Sequence, residues 1–376
     1  MVVDAWQNIL GELKHTPVHE REARLQQALH DLHSPVVGSD AAVFLYQGRE
    51  ASVALTGDMT GWLSTWPMHR VEGTTLWYIE RHFERDARLD YKFVVDDTWI
   101  MDPRNPRVVL GGFGSNSELM MPGYPSHPET LFDASIPAGS LMDESLYSHA
   151  LGQERPYHVY RPTACPLPCP VVYFQDGSDY LNAGHAAHVL DYMMAHGRIP
   201  PVMAVFVDCP DRSRRAHDYA NNPYFVDFFV NELMPVVEPP GEVSRRVLVG
   251  DSMGGLACGY LAYRHPNLFT HILSHSGAFP PAYGEPLNIA GLPPEDPFPW
   301  ARNLPDIAFA TDLYLVVGTY EHNVAGADFL EISQRVARDL ARNPRTRRLH
   351  LAEVHQGHSW GLWRDTLGEG LEFLLG

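Results

Sequence analysis

The spacing of apolar residues changes character along this chain. Within residues 4–33, Leu10, Leu13 and Leu25 recur at helical intervals, which predicts a helical segment that closes at Ser34-Pro35. Further on, short alternating runs are typical of β-strands. Their predicted positions are 42–46, 52–56, 76–81 and 89–95. Strands at this spacing predict a small immunoglobulin-like β-sandwich.

A stretch rich in glycine, serine and proline, 111–127, is interpreted as a loop that includes a linker. Beyond it, apolar strands alternate with helical patterns, which predicts a doubly wound parallel sheet of the α/β-hydrolase kind, with the site at the strand ends. The predicted strands are 146–148 and 156–162 at the edge, then 171–174, 202–207, 247–250, 271–274, 313–317 and 349–353. The predicted helices are 184–196, 225–237 and 329–342. The expected domains are a helical segment 1–35, a β-sandwich 36–125 and a hydrolase domain 126–376.

The segment Val247–Ala257 organises the second domain. It contains Gly250-Asp251-Ser252-Met253-Gly254, a G-x-S-x-G pattern between an apolar strand and a helix of small residues. This pattern is the nucleophile elbow, in which a strained turn holds a serine between a strand and a helix. Ser252 is therefore the predicted nucleophile, at the positive end of the helix that follows.

A serine nucleophile needs a base and a carboxylate that orients the base, and in this fold the chain order is serine, acid, histidine. His358 follows the last predicted strand and precedes the final helix, so it is the predicted base; His355 is the nearest rival. Glu321, just beyond the strand that ends at Val317, is the predicted acid, with Asp328 as the alternative.

An oxyanion hole needs two preset N–H donors. The backbone of Met253, directly after the nucleophile, is the first candidate. The second is expected in the loop after strand 171–174, from the amide of Gly177 or of Ser178.

Composition narrows the partners. A formal net charge of −18 argues against nucleic acid or an anionic membrane surface as the main partner. The four cysteines form no zinc pattern and are interpreted as ordinary thiols, and no metal or cofactor is expected. Because the first residues lack a basic start followed by an apolar run, and no stretch is apolar enough to span a bilayer, a cytoplasmic protein is expected.

The second domain resembles the enterochelin esterases, within a wider family that includes feruloyl and acetylxylan esterases. The matching motifs are Phe174-Gln175-Asp176-Gly177, Asp211–Asp218, Asn231–Pro235, Gly250–Gly255, Ser274–Gly277, Gly318–Glu321 and Gly357–Trp360. The resemblance implies a serine carboxylic-ester hydrolase that acts through an acyl-enzyme, with Ser252, His358 and Glu321 as its triad. The implied substrate is a small-molecule ester, the trilactone of a catecholate siderophore, often as its ferric complex.

The same motifs supply candidate substrate-binding residues. These are Arg214, Arg215, Trp360 and Asp176. The two arginines suit an anionic catecholate ligand. The alternative is that they brace their own loop against Asp211 or Asp218.

The first domain resembles a glycogen-binding-type carbohydrate module, on the run from Leu55-Thr56-Gly57-Asp58 to Asp102–Pro106. In such modules exposed tryptophans stack on sugar rings, and Trp62, Trp66 and Trp99 are candidates; otherwise they belong to the sandwich core or to an interface. This module favours a feruloyl or acetyl ester of a glycan as the alternative substrate. A sugar-binding scaffold with an inactive hydrolase is a further alternative, against which the intact set of Ser252, His358 and Glu321 argues.

Overall fold

The structure, a computed structural model, describes residues 2–29, 32–112, 114–238, 241–279 and 300–376. The chain forms two compact units. The first unit comprises Met1–Ser126, Thr319–Glu321 and His355–Trp360. The second unit comprises His127–Gly318, His322–Val354 and Gly361–Gly376.

The first unit has two helices and a set of short strands. The helices are α1 (Val2–His15) and α2 (Arg21–Ala28). The strands are β1 (Val36–Val37), β2 (Ala41–Gln47), β3 (Val53–Gly57), β4 (Trp66–Pro67), β5 (His69–Arg70), β6 (Leu76–His82), β7 (Arg88–Val95), β8 (Thr98–Ile100), β9 (Val108–Gly111) and β10 (Gly114–Met120). One sheet has the order β1-β2-β6-β5, and the other has the order β4-β3-β7-β10-β9 with β8 paired to β7. This confirms the predicted β-sandwich.

Strand β2 shows how the sequence separates two cores within this unit. Successive side chains of a strand point to opposite faces. Phe44 belongs to the cluster that joins the two sheets, together with Leu55, Tyr91 and Phe93. The alternate residues Val43 and Leu45 instead pack with Trp6, Leu10 and Leu25 of the N-terminal helices. Strand β2 is therefore buried on both faces.

The structure refines one sequence expectation in this unit and corrects another. The helical pattern of residues 4–33 forms two α-helices joined by a 3-10 turn at Val18–Glu20, because Pro17 lacks the N–H that a continuous helix requires. The segment 111–127, expected as a loop, contains strand β10. Its residues pair with β7 on one side and β9 on the other, so tertiary pairing outweighs the low strand propensity of glycine and serine.

The second unit is built on one mixed sheet. Its strands are β11 (Ser140–Ser148), β12 (Gln153–Arg161), β13 (Cys169–Gln175), β14 (Met203–Val207), β15 (Val243–Asp251), β16 (His271–His275), β17 (Asp312–Gly318) and β18 (Arg348–Val354). Its helices are α3 (Gly177–Asn182), α4 (Ala186–Ala195), α5 (Arg212–Tyr219), α6 (Pro223–Asp227), α7 (Met234–Val237), α8 (Met253–Arg264), α9 (Phe329–Ala341) and α10 (Trp360–Leu375).

The order β11-β12-β14-β13-β15-β16-β17-β18 confirms the predicted α/β-hydrolase class. The pairings from β14 to β18 are parallel, and β11 and β12 form the antiparallel edge. The predicted helix 225–237 is interrupted, since a π-helical turn, Phe228–Leu233, separates α6 from α7. Helices α3 and α5 were not predicted, and α5 carries two of the candidate arginines.

Candidate active site

Ser252 lies in a strained turn between β15 and α8. Its φ of 49° is in the left-handed region, which a residue with a side chain rarely adopts. Two backbone hydrogen bonds fix this geometry. The N–H of Ser252 donates to the carbonyl of His275 (2.8 Å), and the carbonyl of Ser252 accepts from the N–H of Ala278 (2.9 Å). Ser252 as a whole residue is 9% exposed. These features are those of a nucleophile elbow.

Gly250 shows why the elbow needs glycine two residues before the serine. A Cβ at this position would lie 2.4 Å from the backbone carbonyl carbon of Gly254, at the start of α8. Any other residue would push the helix away from the strand, and Ser252 would move with it.

The candidate oxyanion donors differ in what their amides already contact. Met253 is the first residue of α8, where a backbone N–H has no acceptor within the helix. The amide of Ser178 donates to Asp208 Oδ1 at 2.7 Å, so it is engaged elsewhere. Gly177, the first residue of α3, is therefore our choice for the second donor.

Ser178 also belongs to a second group of serine, histidine and aspartate side chains. Its hydroxyl donates to Asp208 Oδ2 (2.6 Å) and lies 3.0 Å from His158 Nε2, while His158 Nδ1 contacts Asp143 (2.7 Å). The hydroxyl proton of Ser178 is donated to the Asp208 carboxylate. It is therefore not directed at Nε2 of His158, as it would be in a serine that histidine activates. This arrangement braces the start of α3 and does not activate Ser178.

His358 and Glu321 form a hydrogen-bonded pair in the first unit. Nδ1 of His358 lies 2.7 Å from Oε2 of Glu321. The Glu321 side chain is fully buried, and the imidazole is 19% exposed. An ionised carboxylate only accepts hydrogen bonds, so Nδ1 carries the proton and Nε2 carries the lone pair that a general base uses.

The two rival residues have other contacts. His355 Nδ1 lies 2.7 Å from Asp86, on the protein surface. Asp328 accepts a hydrogen bond from the amide of Glu331 (2.9 Å) at the start of α9 and contacts His322 (3.0 Å). Asp328 therefore acts as a helix N-cap in this structure.

Arg215 contacts two carboxylates, those of Asp176 and Asp251. Its guanidinium makes a two-bonded contact with Asp176 (2.8 and 2.6 Å) and lies 3.4 Å from the carboxylate of Asp251. Burial, reinforced by the Asp176 carboxylate, raises the pKa of Asp251 well above its usual value. The alternative bracing partners do not apply to Arg215, since Asp218 pairs with the buried Arg155 (2.6 Å) and Asp211 caps α5 through Ser213. Sequence reasoning missed Asp251, although it stands inside the elbow motif.

The remaining substrate-binding candidates are placed differently from one another. Arg214 is exposed on α5, whereas Trp360 is largely buried at the start of α10. In the first unit, the Trp62 and Trp99 rings stack with centroids 5.9 Å apart, and Trp99 is 48% exposed. Trp66 lies under the guanidinium of Arg81 instead.

Within the described part of the chain, no group of three or more histidine, cysteine or acidic side chains is arranged to hold a metal ion. All four cysteines are free thiols. None of the helices described is both long and apolar enough to cross a bilayer.

Asp58, on the turn after β3, has a buried carboxyl group. It lies against Gly357, in the segment His355–Trp360 of the first unit. Burial, and then the neighbouring Asp90, raises the pKa of Asp58 to about 7. A folded-state pKa above the unfolded value of about 3.9 means that the folded state retains a proton that the unfolded state has lost. The protonated Asp58 therefore contributes to the free energy of unfolding. That contribution is fully present below pH ~4 and is lost as the pH rises through 7.

We therefore expect Asp58→Asn to change the pH dependence of stability. Since asparagine stays neutral, the wild-type melting temperature should fall relative to that of the variant between pH 5 and pH 8. Calorimetry of both proteins across this range measures the difference. Asp97→Asn, at an exposed turn of the same unit, is the control and should show a constant difference. A constant difference for Asp58→Asn as well would contradict the assignment.

Comparison with known proteins places the chain in a family. Residues 148–374 match the model of the Esterase family, and the chain belongs to that family. Among curated relatives, the iron(III) enterobactin esterase of Escherichia coli strain K12 is 26% identical over 244 residues. That alignment spans 56% of this chain and 60% of the relative. The predicted resemblance to enterochelin esterases is thus confirmed at the level of family and relatives.

Solved structures extend the likeness to the fold of nearly the whole chain. The enterobactin esterase from Shigella flexneri, crystallised in the presence of enterobactin, has a TM-score of 0.75 at 22% identity and covers 93% of this chain and 97% of its own. The ferric enterobactin esterase from Salmonella typhimurium has a TM-score of 0.76 at 19% identity, covering 93% and 98%. Because 93% coverage reaches into the first unit, an N-terminal all-β region belongs to that fold as well.

Proposed function

We propose that this protein is a serine carboxylic-ester hydrolase that opens the ester bonds of a catecholate siderophore trilactone through an acyl-enzyme. The main support for this proposal is the pair formed by His358 Nδ1 and the fully buried Glu321 carboxylate, 2.7 Å apart. A buried carboxylate in this position orients the imidazole and stabilises its charged form.

Chain connectivity supports the use of this pair by Ser252. Strands β15, β16, β17 and β18 are consecutive and parallel, so their carboxyl ends lie at one edge of the sheet. Ser252 follows β15 directly, Glu321 is the third residue after β17, and His358 is the fourth residue after β18. This is the order of the α/β-hydrolase triad.

The proposed reaction has two halves. The Ser252 hydroxyl attacks the ester carbonyl and transfers its proton to Nε2 of His358, while the amides of Met253 and Gly177 stabilise the oxyanion. The C–O bond of the ester then breaks, the alcohol leaves with the proton from His358, and the acyl group stays on Ser252. Water, deprotonated by His358, attacks the acyl-enzyme, and the free acid leaves as Ser252 regains its proton.

The choice of a siderophore trilactone rests on the enterobactin esterases among the relatives and solved structures. Arg214, exposed on α5, is our candidate contact for an anionic catecholate. Arg215 contacts Asp176, which precedes the proposed oxyanion donor Gly177, and Asp251, which precedes Ser252. It is proposed to hold these two segments together.

One observation favours a glycan ester as the second candidate substrate. Trp62 and Trp99 form a stacked pair with an exposed ring, and exposed indole faces are suited to bind sugar rings. Against this, the sandwich is part of the fold that the enterobactin esterases share. Its presence therefore does not require a carbohydrate substrate.

A paired hydrolysis assay tests the proposal. One purified sample is given a ferric catecholate trilactone in one series and a feruloylated or acetylated xylan oligosaccharide in the other, with Ser252→Ala as the blank. We expect a higher kcat/KM for the trilactone. A preference for the oligosaccharide would overturn the proposed substrate and make Trp62 and Trp99 the next residues to replace. If the protein hydrolyses neither the trilactone nor the oligosaccharide, both candidate substrates are overturned.

A further inference from the structure

The segment that carries His358 is held by the β-sandwich. Residues 355–360 belong to the first unit, together with 319–321. Asp86 contacts His355 (2.7 Å), and the hydroxyl of Tyr124 accepts a hydrogen bond from the side chain of Gln356 (3.0 Å). The sandwich therefore binds the chain just before the catalytic histidine.

Arg88 contacts both sides of His358. Its backbone N–H donates to the carbonyl of His355 at 3.0 Å, and its guanidinium donates to the hydroxyl of Ser359 at 3.1 Å. The same guanidinium is fully buried between Asp90 (2.8 Å) and Glu118 (2.7 Å). The hydrogen bond from Nε to Glu118 and the ion pair with Asp90 hold the guanidinium, so the donor directed at Ser359 has a set position.

Asp58 lies directly against Gly357. A Cβ on Gly357 would come within 2.1 Å of the Asp58 carboxyl carbon. Asp58 is itself fixed, because its carboxylate accepts bonds from the indole N–H of Trp62 (2.9 Å) and the amide of Asp90 (2.7 Å). The backbone at Gly357 therefore rests on an immobile group, one residue before His358.

The segment that carries Glu321 is held in the same way. Tyr320 packs on the sandwich core, and its hydroxyl donates to Glu84. Its amide donates to the carbonyl of Gln356 at 3.1 Å, which links the acid segment to the histidine segment.

We propose that the β-sandwich is a positioning element of the esterase site, in which Arg88 and Asp58 set the orientation of the His358 imidazole by fixing the backbone on both sides of it. These two are positioning residues, since they act through Ser359 and Gly357. The inference rests on the proposed role of His358 as general base. A displacement of about 1 Å in a catalytic group costs on the order of 100-fold in rate, so this support acts on turnover more than on substrate binding.

The contact between Asp58 and Gly357 permits a double-mutant cycle in the full chain. Gly357→Ala should lower kcat by about 100-fold, with KM changed by less than about threefold. Asp58→Gly alone removes this support and should also lower kcat, and because the double variant lacks the obstructing side chain, its loss should be at least about tenfold smaller than the product of the two single losses. Losses that multiply in the double variant would overturn the proposal, because the two residues would then act independently.

The contact between Arg88 and Ser359 is tested by a milder change. Ser359→Ala should lower kcat by about tenfold with KM within about twofold, a larger loss than the fall in melting temperature from the lost hydrogen bond to Arg88 accounts for. Ser333→Ala, at a buried serine of α9 in the second unit, is the matched control and should leave kcat unchanged. Equal kcat for the two variants would overturn the role of Arg88, and so would a loss that only follows the melting temperature. Ser252→Ala is measured in parallel: activity retained there rejects the proposed function, whereas its loss with unaffected Gly357 and Ser359 variants rejects only the positioning role.

Discussion

Ser252→Ala is expected to lower kcat for ester hydrolysis by about 10⁴-fold or more, because no other group can form the acyl-enzyme. The fold should be retained, since alanine can keep the backbone hydrogen bonds that Ser252 makes with His275 and Ala278. Steady-state kinetics and the melting temperature of the variant measure both expectations.

The matched comparison is Ser178→Ala. Ser178 is the serine that contacts His158, but its hydroxyl donates to Asp208 at 2.6 Å. We expect it to cost less than about tenfold in kcat, since the oxyanion donor that we propose is the neighbouring Gly177 amide. A larger loss at Ser178 than at Ser252 would reverse the assignment of the nucleophile.

His358→Ala and Glu321→Ala are expected to show the second largest effects. Loss of the base should approach the loss at Ser252, and loss of the orienting carboxylate should lower kcat by about 10²- to 10⁴-fold, since the imidazole is still present. The measurement is kcat for each variant at a fixed pH, with substrate well above KM.

Asp328→Ala is the control for the acid. This carboxylate caps α9 and contacts His322, so its removal should cost about 1 kcal/mol of stability and leave kcat unchanged. A greater loss of kcat for Asp328→Ala than for Glu321→Ala would transfer the orienting role to Asp328.

The alternation of strands and helices could be predicted from the sequence because it depends on local periodicity. Strand β15, the turn at Ser252 and helix α8 follow from one apolar run and a glycine-serine-glycine pattern within about ten residues. The positions of Glu321 and His358 follow from a rule of chain order. These features need no knowledge of long-range contacts.

Several missed features depend on contacts between distant parts of the chain. Arg88 meets Ser359 across 271 positions, and although Ser359 lies in the motif Gly357–Trp360, no local pattern marks Arg88 or predicts their contact. Arg215 was a candidate ligand contact, with an acid of its own motif as the alternative partner, but folding brings it to Asp176, 39 positions away. Strand β10 was missed because its own residues favour a loop, and only pairing with β7 and β9 makes it a strand.

Burial explains why the charges of Arg88, which is fully buried, and Arg215, which is partly buried, matter. Arginine stays ionised in proteins, so taking its charge out of water is costly unless carboxylates pair with it. Each of these arginines lies between two acids, one pair in the sandwich and one below the elbow. Such groups give directional contacts that an apolar core cannot, and here they lie beside the two chain segments that the proposed reaction requires to be rigid.

The most direct test of the account is covalent labelling of the nucleophile. A fluorophosphonate reacts with a serine whose hydroxyl is activated by a histidine, and mass spectrometry of the digested protein then locates the modified residue. We expect one label per chain on the peptide that contains Ser252, and none in His358→Ala. A label on another serine, such as Ser178, with Ser252 unmodified in an active preparation, would contradict the account.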